Sequence, residues 1–194
     1  MGRWSRRLAP LFLDFAGTAA GERVLDAGCG TGVLAMDLAR RGASVLAIDL
    51  SPTLVDHARE LADQQGITTI DFRSGDMLDP ALGSFDFLVA MDSLIHYELR
   101  ENLGALSRLA PRVGQQMSIT IAPRTPVFAA LQAVGKFFPQ KDRAPSIVQV
   151  AESSFRRGLS ETPALATWSV SHTHRVVRGF YRSQAVVLRQ HGSR

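Results

Sequence analysis

Seven residues, Asp26-Ala27-Gly28-Cys29-Gly30-Thr31-Gly32, constrain this chain more than any other stretch. Val24 and Leu25 precede them as a short apolar run. An amphipathic segment follows at once, with Val33, Leu34, Met36, Leu38 and Ala39 near helical spacing. Strand, glycine turn and helix in that order let a backbone approach a nucleotide-like ligand closely, because side chains at the turn would collide with it. The dinucleotide fingerprint G-x-G-x-x-G carries a glycine at its sixth position, where this chain has Val33. That substitution disfavours a nicotinamide oxidoreductase.

The pattern Asp-Ala-Gly-Cys-Gly-Thr-Gly resembles the first motif of the Rossmann-like, class I S-adenosylmethionine-dependent methyltransferases. The resemblance implies an α/β fold, with a seven-stranded, mostly parallel sheet, an antiparallel edge strand and helices on both faces. It also implies that Asp26, Gly28, Gly30 and Gly32 surround the cofactor. Downstream residues agree. The second strand, read from Ala43 to Leu50, ends in Asp49, near the separation from the glycines at which an acidic residue meets a ribose. Ser51-Pro52 is a strong helix start, with Ser51 as cap and Pro52 in the first turn. Ile67 to Phe72 reads as a third strand followed by Gly75-Asp76-Met77. In the methyltransferase pattern Asp76 takes the adenine amino group and Met77 lies against the ring, with Leu50 and Met91 completing the cofactor set.

Phe85 to Met91 is a fourth strand, nearly all apolar, as suits a strand covered on both faces. It runs into Asp92-Ser93-Leu94-Ile95-His96-Tyr97, on the carboxyl edge of the sheet where ligands lie in open α/β folds. Leu99, Leu103, Leu106 and Leu109 mark a helix stopped by Pro111, and Met117 to Ile121 is the fifth strand. The alternation of strand and helix then breaks. Val127, Phe128, Leu131, Val134 and Phe138 share one helix face between Pro126 and Pro139, and a short helix follows around Glu152 to Leu159. Trp168 to Val177 and Ser183 to Arg189 read as two closing strands. The whole, 1–194, is one methyltransferase domain with a helical lead-in at 1–22, where Trp4 anchors an amphipathic helix, and a substrate-covering insertion at 123–160.

Composition narrows the classes. A chain of 194 residues, 45% hydrophobic and 21% charged, is an ordinary globular protein. The single cysteine, Cys29, rules out an internal disulfide framework, and its place between two glycines marks a small residue chosen for fit. Residues 1–123 hold 11 Lys and Arg against 15 Asp and Glu, a net of −4; residues 124–194 hold 11 against 3, a net of +8. The basic half suits an anionic substrate or an acidic membrane surface. No lysine-rich run or aromatic-interleaved module points to nucleic acid. Pro10 and Asp14 interrupt the apolar run after Arg3, Arg6 and Arg7, so no clean signal peptide is present, and no stretch approaches a spanning helix. The expected location is cytoplasmic, with at most peripheral contact at the inner membrane.

The second half carries a narrower likeness. Ser118-Ile119-Thr120-Ile121-Ala122-Pro123-Arg124-Thr125-Pro126, Ala133 to Pro139, Asp142 to Ile147 and Gly179 to Ala185 are similar to the magnesium-protoporphyrin IX O-methyltransferases of purple-bacterial type. So are Asp49 to Val55 and Leu94 to Tyr97. The likeness runs from about Arg23 to the C-terminus. Residues 1–22 depart from it, carrying no tyrosine where those enzymes have a longer, tyrosine-bearing arm.

The resemblance implies methyl transfer from S-adenosylmethionine to a propionate of magnesium protoporphyrin in bacteriochlorophyll and chlorophyll biosynthesis, leaving S-adenosylhomocysteine (SAH). The magnesium is carried by the porphyrin, no protein-bound metal is implied, and the porphyrin-carrying subunit of magnesium chelatase is the expected delivery partner. A propionate, with an ordinary pKa of about 4, is already a nucleophile at neutral pH. No strong base is required, in keeping with the lack of a Ser/His/Asp set or metal-ligand spacing. His96 is the first choice to orient the propionate and Tyr97 the second. Arg124 is placed to pair with a propionate, and Phe128 to cover the macrocycle. Two alternatives stay open: a methyltransferase for another apolar acceptor such as a quinone precursor, and a non-catalytic binder of porphyrin and cofactor.

Overall fold

The glycine turn is the hinge of an α/β/α sandwich. The computed structural model describes residues 20–123, 147–178 and 181–191, with the side chains of 176–178 and 181–182 outside that description. The expected N-terminal helix with Trp4, the 127–138 helix, and Arg124 and Phe128 all lie outside the described residues.

β1 (Arg23–Ala27) leads through the glycines into α1 (Val33–Arg40), then β2 (Ser44–Asp49), α2 (Pro52–Gln64) and β3 (Ile70–Ser74). β4 (Phe85–Ala90), α3 (Leu99–Leu109) and β5 (Val113–Pro123) follow. Beyond the undescribed segment come β6 (Gln149–Val150), α4 (Glu152–Glu161), β7 (Trp168–Arg178) and β8 (Tyr181–Gln190). The strand order is β3-β2-β1-β4-β5-β8-β7, with β6 paired to the end of β5. β8 is antiparallel to both β5 and β7, so the reversed region closes one side of an otherwise parallel sheet. The order reverses between β1 and β4, and there the crevice outside the strand ends must open.

Two cores flank the sheet. On one face Val24, Val45, Ala47 and Phe87 meet Leu34, Leu38, Val55 and Ala58 of α1 and α2. On the other, Leu25, Leu88, Met117 and Ile119 meet Leu106 and Leu109 of α3 and Phe155 and Leu159 of α4. Side chains therefore alternate between two dry layers, which is why strands β1, β2 and β4 read as nearly unbroken apolar runs.

Besides shifts of one or two residues at other ends, two strand ranges and one added strand depart from the sequence expectation. The third strand begins at Ile70 and not Ile67, because the Ile67 amide still caps α2 by donating to the Ala62 carbonyl at 2.9 Å. β5 runs from Val113 to Pro123, longer than the expected 117–121, and its polar Gln116, Ser118 and Thr120 are as buried as its apolar residues. β6 was not expected at all; its two residues pair with Ala122 and Pro123. The helix read near Glu152 is α4, reaching Glu161.

Candidate active site

The cleft forms where β1, β2 and β4 end together. Its volume is about 1040 Å3. One wall is the glycine turn, pinned to β2 by the Gly28 and Cys29 amides, which donate to the Ile48 carbonyl at 2.8 and 3.0 Å. Gly28 has φ +83°, and a Cβ there would stand 2.3 Å from Ser93 Cβ, so only glycine lets the turn and the β4 loop meet. Gly30 (φ +54°) is different: it lines the cleft, and among the described residues a Cβ there would meet nothing within 4 Å. Gly32 does not line the cleft. It is the N-cap of α1, and a side chain would press on Phe72 at 2.9 Å and Ala58 at 3.0 Å.

Asp49 ends β2 beside that space. Its Oδ2 accepts from the Gly30 amide and its Oδ1 from the Ser51 amide, both at 2.9 Å. Each oxygen keeps further acceptor capacity and Asp49 lines the cleft, so the carboxylate both holds the loop and can receive hydroxyl donors. Leu50 follows at the rim, 73% exposed, the one large apolar side chain so exposed among the described residues. Across the cleft stand Asp76 and Met77, with Met91 at the end of β4. Asp76 Oδ1 accepts from the Leu78 amide at 2.8 Å, which fixes the loop after β3.

Asp26 lies beneath the turn and does not line the cleft. It is 1% exposed, accepts from the Ala35 amide in the first turn of α1, and its Oδ2 has no hydrogen-bond partner. Burial, with the nearby Asp49 charge, pushes its carboxyl up to about 7. An unfolded chain ionises that carboxyl near 3.8, so between 3.8 and about 7 the native state holds a proton the unfolded state has lost. Stability should fall as pH rises through this window and level off above it. Asp26→Asn should flatten that slope, removing up to about 4 kcal/mol of variation between about pH 4 and pH 8. Urea denaturation across the range measures it; an unchanged slope would place the titration elsewhere.

The Cys29 thiol is half-buried, and burial beside Asp26 and Asp49 raises its pKa, so it stays a thiol at neutral pH. That is a packing residue, not a nucleophile.

On the acceptor side, a single 3-10 turn (Leu94–His96) brings His96 and Tyr97 to the cleft. Leu94 and Ile95 are buried beneath them, and His96 is exposed to the cavity. The Asn102 side chain donates to the Tyr97 carbonyl at 3.0 Å, and the Val148 amide donates to the Ile95 carbonyl at 2.8 Å. The chain returning to β6 is thus tied to the acceptor loop. Sequence reasoning missed α3 as a wall: Glu101, Gly104, Ala105 and Arg108 also line the cleft. The signal was present in Gly104-Ala105, a small-residue face beside the leucine stripe. Among the described residues, no group of three His, Cys, Asp or Glu side chains is placed to hold a metal.

Open space at Gly30, a carboxylate at Asp49 with lone pairs to spare, and apolar surfaces at Leu50 and Met77 fit a cationic adenosyl cofactor. A pyrophosphate would meet the Asp49 charge instead.

Family models agree with that geometry. Residues 90–190 match the model described as magnesium-protoporphyrin IX methyltransferase C-terminus, and residues 24–114 match a methyltransferase domain. The magnesium-protoporphyrin O-methyltransferase of Rhodobacter capsulatus is 40% identical over 169 residues, covering 87% of this chain and 72% of that protein. The chloroplastic magnesium protoporphyrin IX methyltransferase of Arabidopsis thaliana is 31% identical, covering 86% of this chain and 53% of that one. The chain thus spans about half the length of the plant relative. Among solved structures, the magnesium protoporphyrin IX methyltransferase from Synechocystis PCC 6803 with bound SAH superposes with a TM-score of 0.79, at 26% identity, covering 95% of this chain and 81% of that one.

Proposed function

This chain belongs to the magnesium-protoporphyrin IX methyltransferase family, and from that premise we propose that it methylates a propionate carboxylate of magnesium protoporphyrin IX. The observation that carries the reading is one continuous cleft, running from Gly30 and Asp49 to His96 and Tyr97. Cofactor and acceptor can then meet within it.

When bound, S-adenosylmethionine supplies a methyl group activated on a sulfonium. Asp49 would receive the ribose hydroxyls, Asp76 the adenine amino group, and Leu50, Met77 and Met91 the apolar ring faces. Gly28 and Gly30 leave the backbone bare along the ligand. The acceptor carboxylate is already ionised, so the protein's work is to align it and strip its water. His96 orients the carboxylate, Tyr97 closes the wall beside it, and Arg124 and Phe128 take a propionate and the macrocycle face. α4 packs Phe155 and Leu159 into the core. The substrate-covering role of residues 123–160 belongs to the same proposal. The single domain, the cytoplasmic setting with at most peripheral membrane contact, and delivery by the porphyrin-carrying subunit of magnesium chelatase belong to the same proposal. Among the described residues no helix is long and apolar enough to cross a membrane.

Incubation with labelled S-adenosylmethionine and magnesium protoporphyrin, against a panel that includes a catechol quinone precursor, tests the reading. The expected product is the porphyrin monomethyl ester, read by mass. Transfer to the quinone precursor alone, or to no acceptor, would overturn it.

Asp49→Ala should weaken SAH binding by about 1.5–3 kcal/mol, the range for hydrogen bonds to a charged group. Part of the loss will come from the Gly30 amide, which forfeits its acceptor. Titration calorimetry measures it; undiminished affinity in a folded variant would remove Asp49 from the cofactor site.

A further inference from the structure

Asp92 is the one non-glycine residue with a positive φ, at +56°, among the described residues. It lies two residues beyond the end of β4, lines the cleft, and begins the segment that delivers His96 and Tyr97. Left-handed backbone is unfavourable for most L-residues and is tolerated best by Asp, Asn and Gly. Here it is locked from a distance of 28 residues. The Asp92 amide donates to Thr120 Oγ1 at 2.6 Å, and the Thr120 hydroxyl donates back to Asp92 Oδ1 at 3.2 Å. Thr120 is fully buried in β5, held by β8 through its register with Ala185. The next residue, Ser93, stands where a Cβ on Gly28 would be.

The glycine turn has its own anchor, the two amides bonded to Ile48 of β2. The cofactor wall is thus fixed to β2 and the acceptor loop to β5, with Gly28 and Ser93 as the contact between them. We propose that Asp92 and Thr120 are positioning residues, a latch that sets the acceptor loop against the glycine turn so that acceptor and cofactor are held at reacting distance. The latch is separate from the glycine turn's anchor on Ile48. Its loss should therefore appear in turnover and leave cofactor affinity in place.

The test compares wild type, Thr120→Val and Thr120→Ser as full chains. Thr120→Val preserves the side-chain volume and removes the hydroxyl; Thr120→Ser preserves the hydroxyl. In the free protein, amide hydrogen exchange of residues 91–97 should quicken about tenfold in Thr120→Val, since the Asp92 amide loses its acceptor. SAH affinity should stay within about twofold, because the glycine turn's anchor is separate. With magnesium protoporphyrin, kcat should fall about tenfold, from misplacement alone. Thr120→Ser should recover most of both changes. Should Thr120→Val fail to fold, Thr120→Ala also removes the hydroxyl that the Asp92 amide bonds and should show the same split. Wild-type loop exchange in the valine variant would overturn the proposal, as would an equal kcat loss in the valine and serine variants. The turnover arm rests on the porphyrin reading. A wild-type protein inert toward magnesium protoporphyrin would sink that reading, while the exchange arm would still decide the latch.

Discussion

Gly30→Val should abolish measurable SAH binding, a loss of at least about a hundredfold, or roughly 2.7 kcal/mol, in a chain that still folds. The reason is where the added carbon atoms go. Among the described residues no atom beyond the chain neighbours lies within 4 Å of the position a Cβ would take, and Gly30 lines the cleft, so the new side chain takes up space there. Its backbone, at φ +54°, strains valine by about 1–2 kcal/mol, which a chain of this size can bear. Gly30→Asn separates the two effects, because asparagine tolerates the left-handed region and still occupies the space. Calorimetry should show both variants without SAH binding and thermal melts should show Asn the more stable. Gly28→Ala gives the contrasting result. Its Cβ would land 2.3 Å from Ser93 Cβ, so it should lower the melting temperature as well as the affinity. Retained affinity in folded Gly30→Asn would mean that the ligand does not pass this wall.

The features legible in the sequence were those in which chemistry demands particular residues at short spacing. β1, the glycine turn and α1 occupy Arg23 to Arg40 without a break, and Asp49 ends β2 as its spacing from the glycines implied. The Ser51 cap was readable for the same reason, and its Oγ accepts from the Leu54 amide at 3.4 Å. Three features were not legible. Ile67 looks like strand and serves as a helix cap, because the local C-terminal closure of α2 overrides its strand propensity. β6 is too short for periodicity to register, and its existence depends on Ala122 and Pro123 in β5. The Asp92–Thr120 contact joins two elements that share no local pattern. Polar residues on β5 suggested nothing about burial, yet Thr120 is sealed because both faces of the central strands are covered. Where one backbone carries the site, the sequence announces it; where two strands must meet, only the fold does.

His96→Ala should lower turnover by about tenfold to a hundredfold while SAH affinity stays close to wild type. His96 sits on the turn after β4, exposed to the cleft above buried Leu94 and Ile95, so its side chain can be removed without opening the core. The cofactor contacts proposed for Gly30, Asp49, Leu50 and Met77 come from the ends of β1, β2 and β3, and that of Met91 precedes this turn, so none depends on the His96 side chain. The size of the loss follows from the role. One positioning hydrogen bond to an ionised carboxylate is worth on the order of 1–3 kcal/mol, and each ~1.4 kcal/mol is tenfold in rate. The substitution His96→Gln discriminates between roles. Glutamine keeps a donor and should recover part of the rate if the residue orients an anion; it cannot accept a proton, so a general base would lose as much in glutamine as in alanine. An ionised propionate has no proton to give, so partial rescue is the expected result. Full activity in His96→Ala would remove His96 from the mechanism. Equal loss in both folded variants would assign it acid–base work or a strict steric fit.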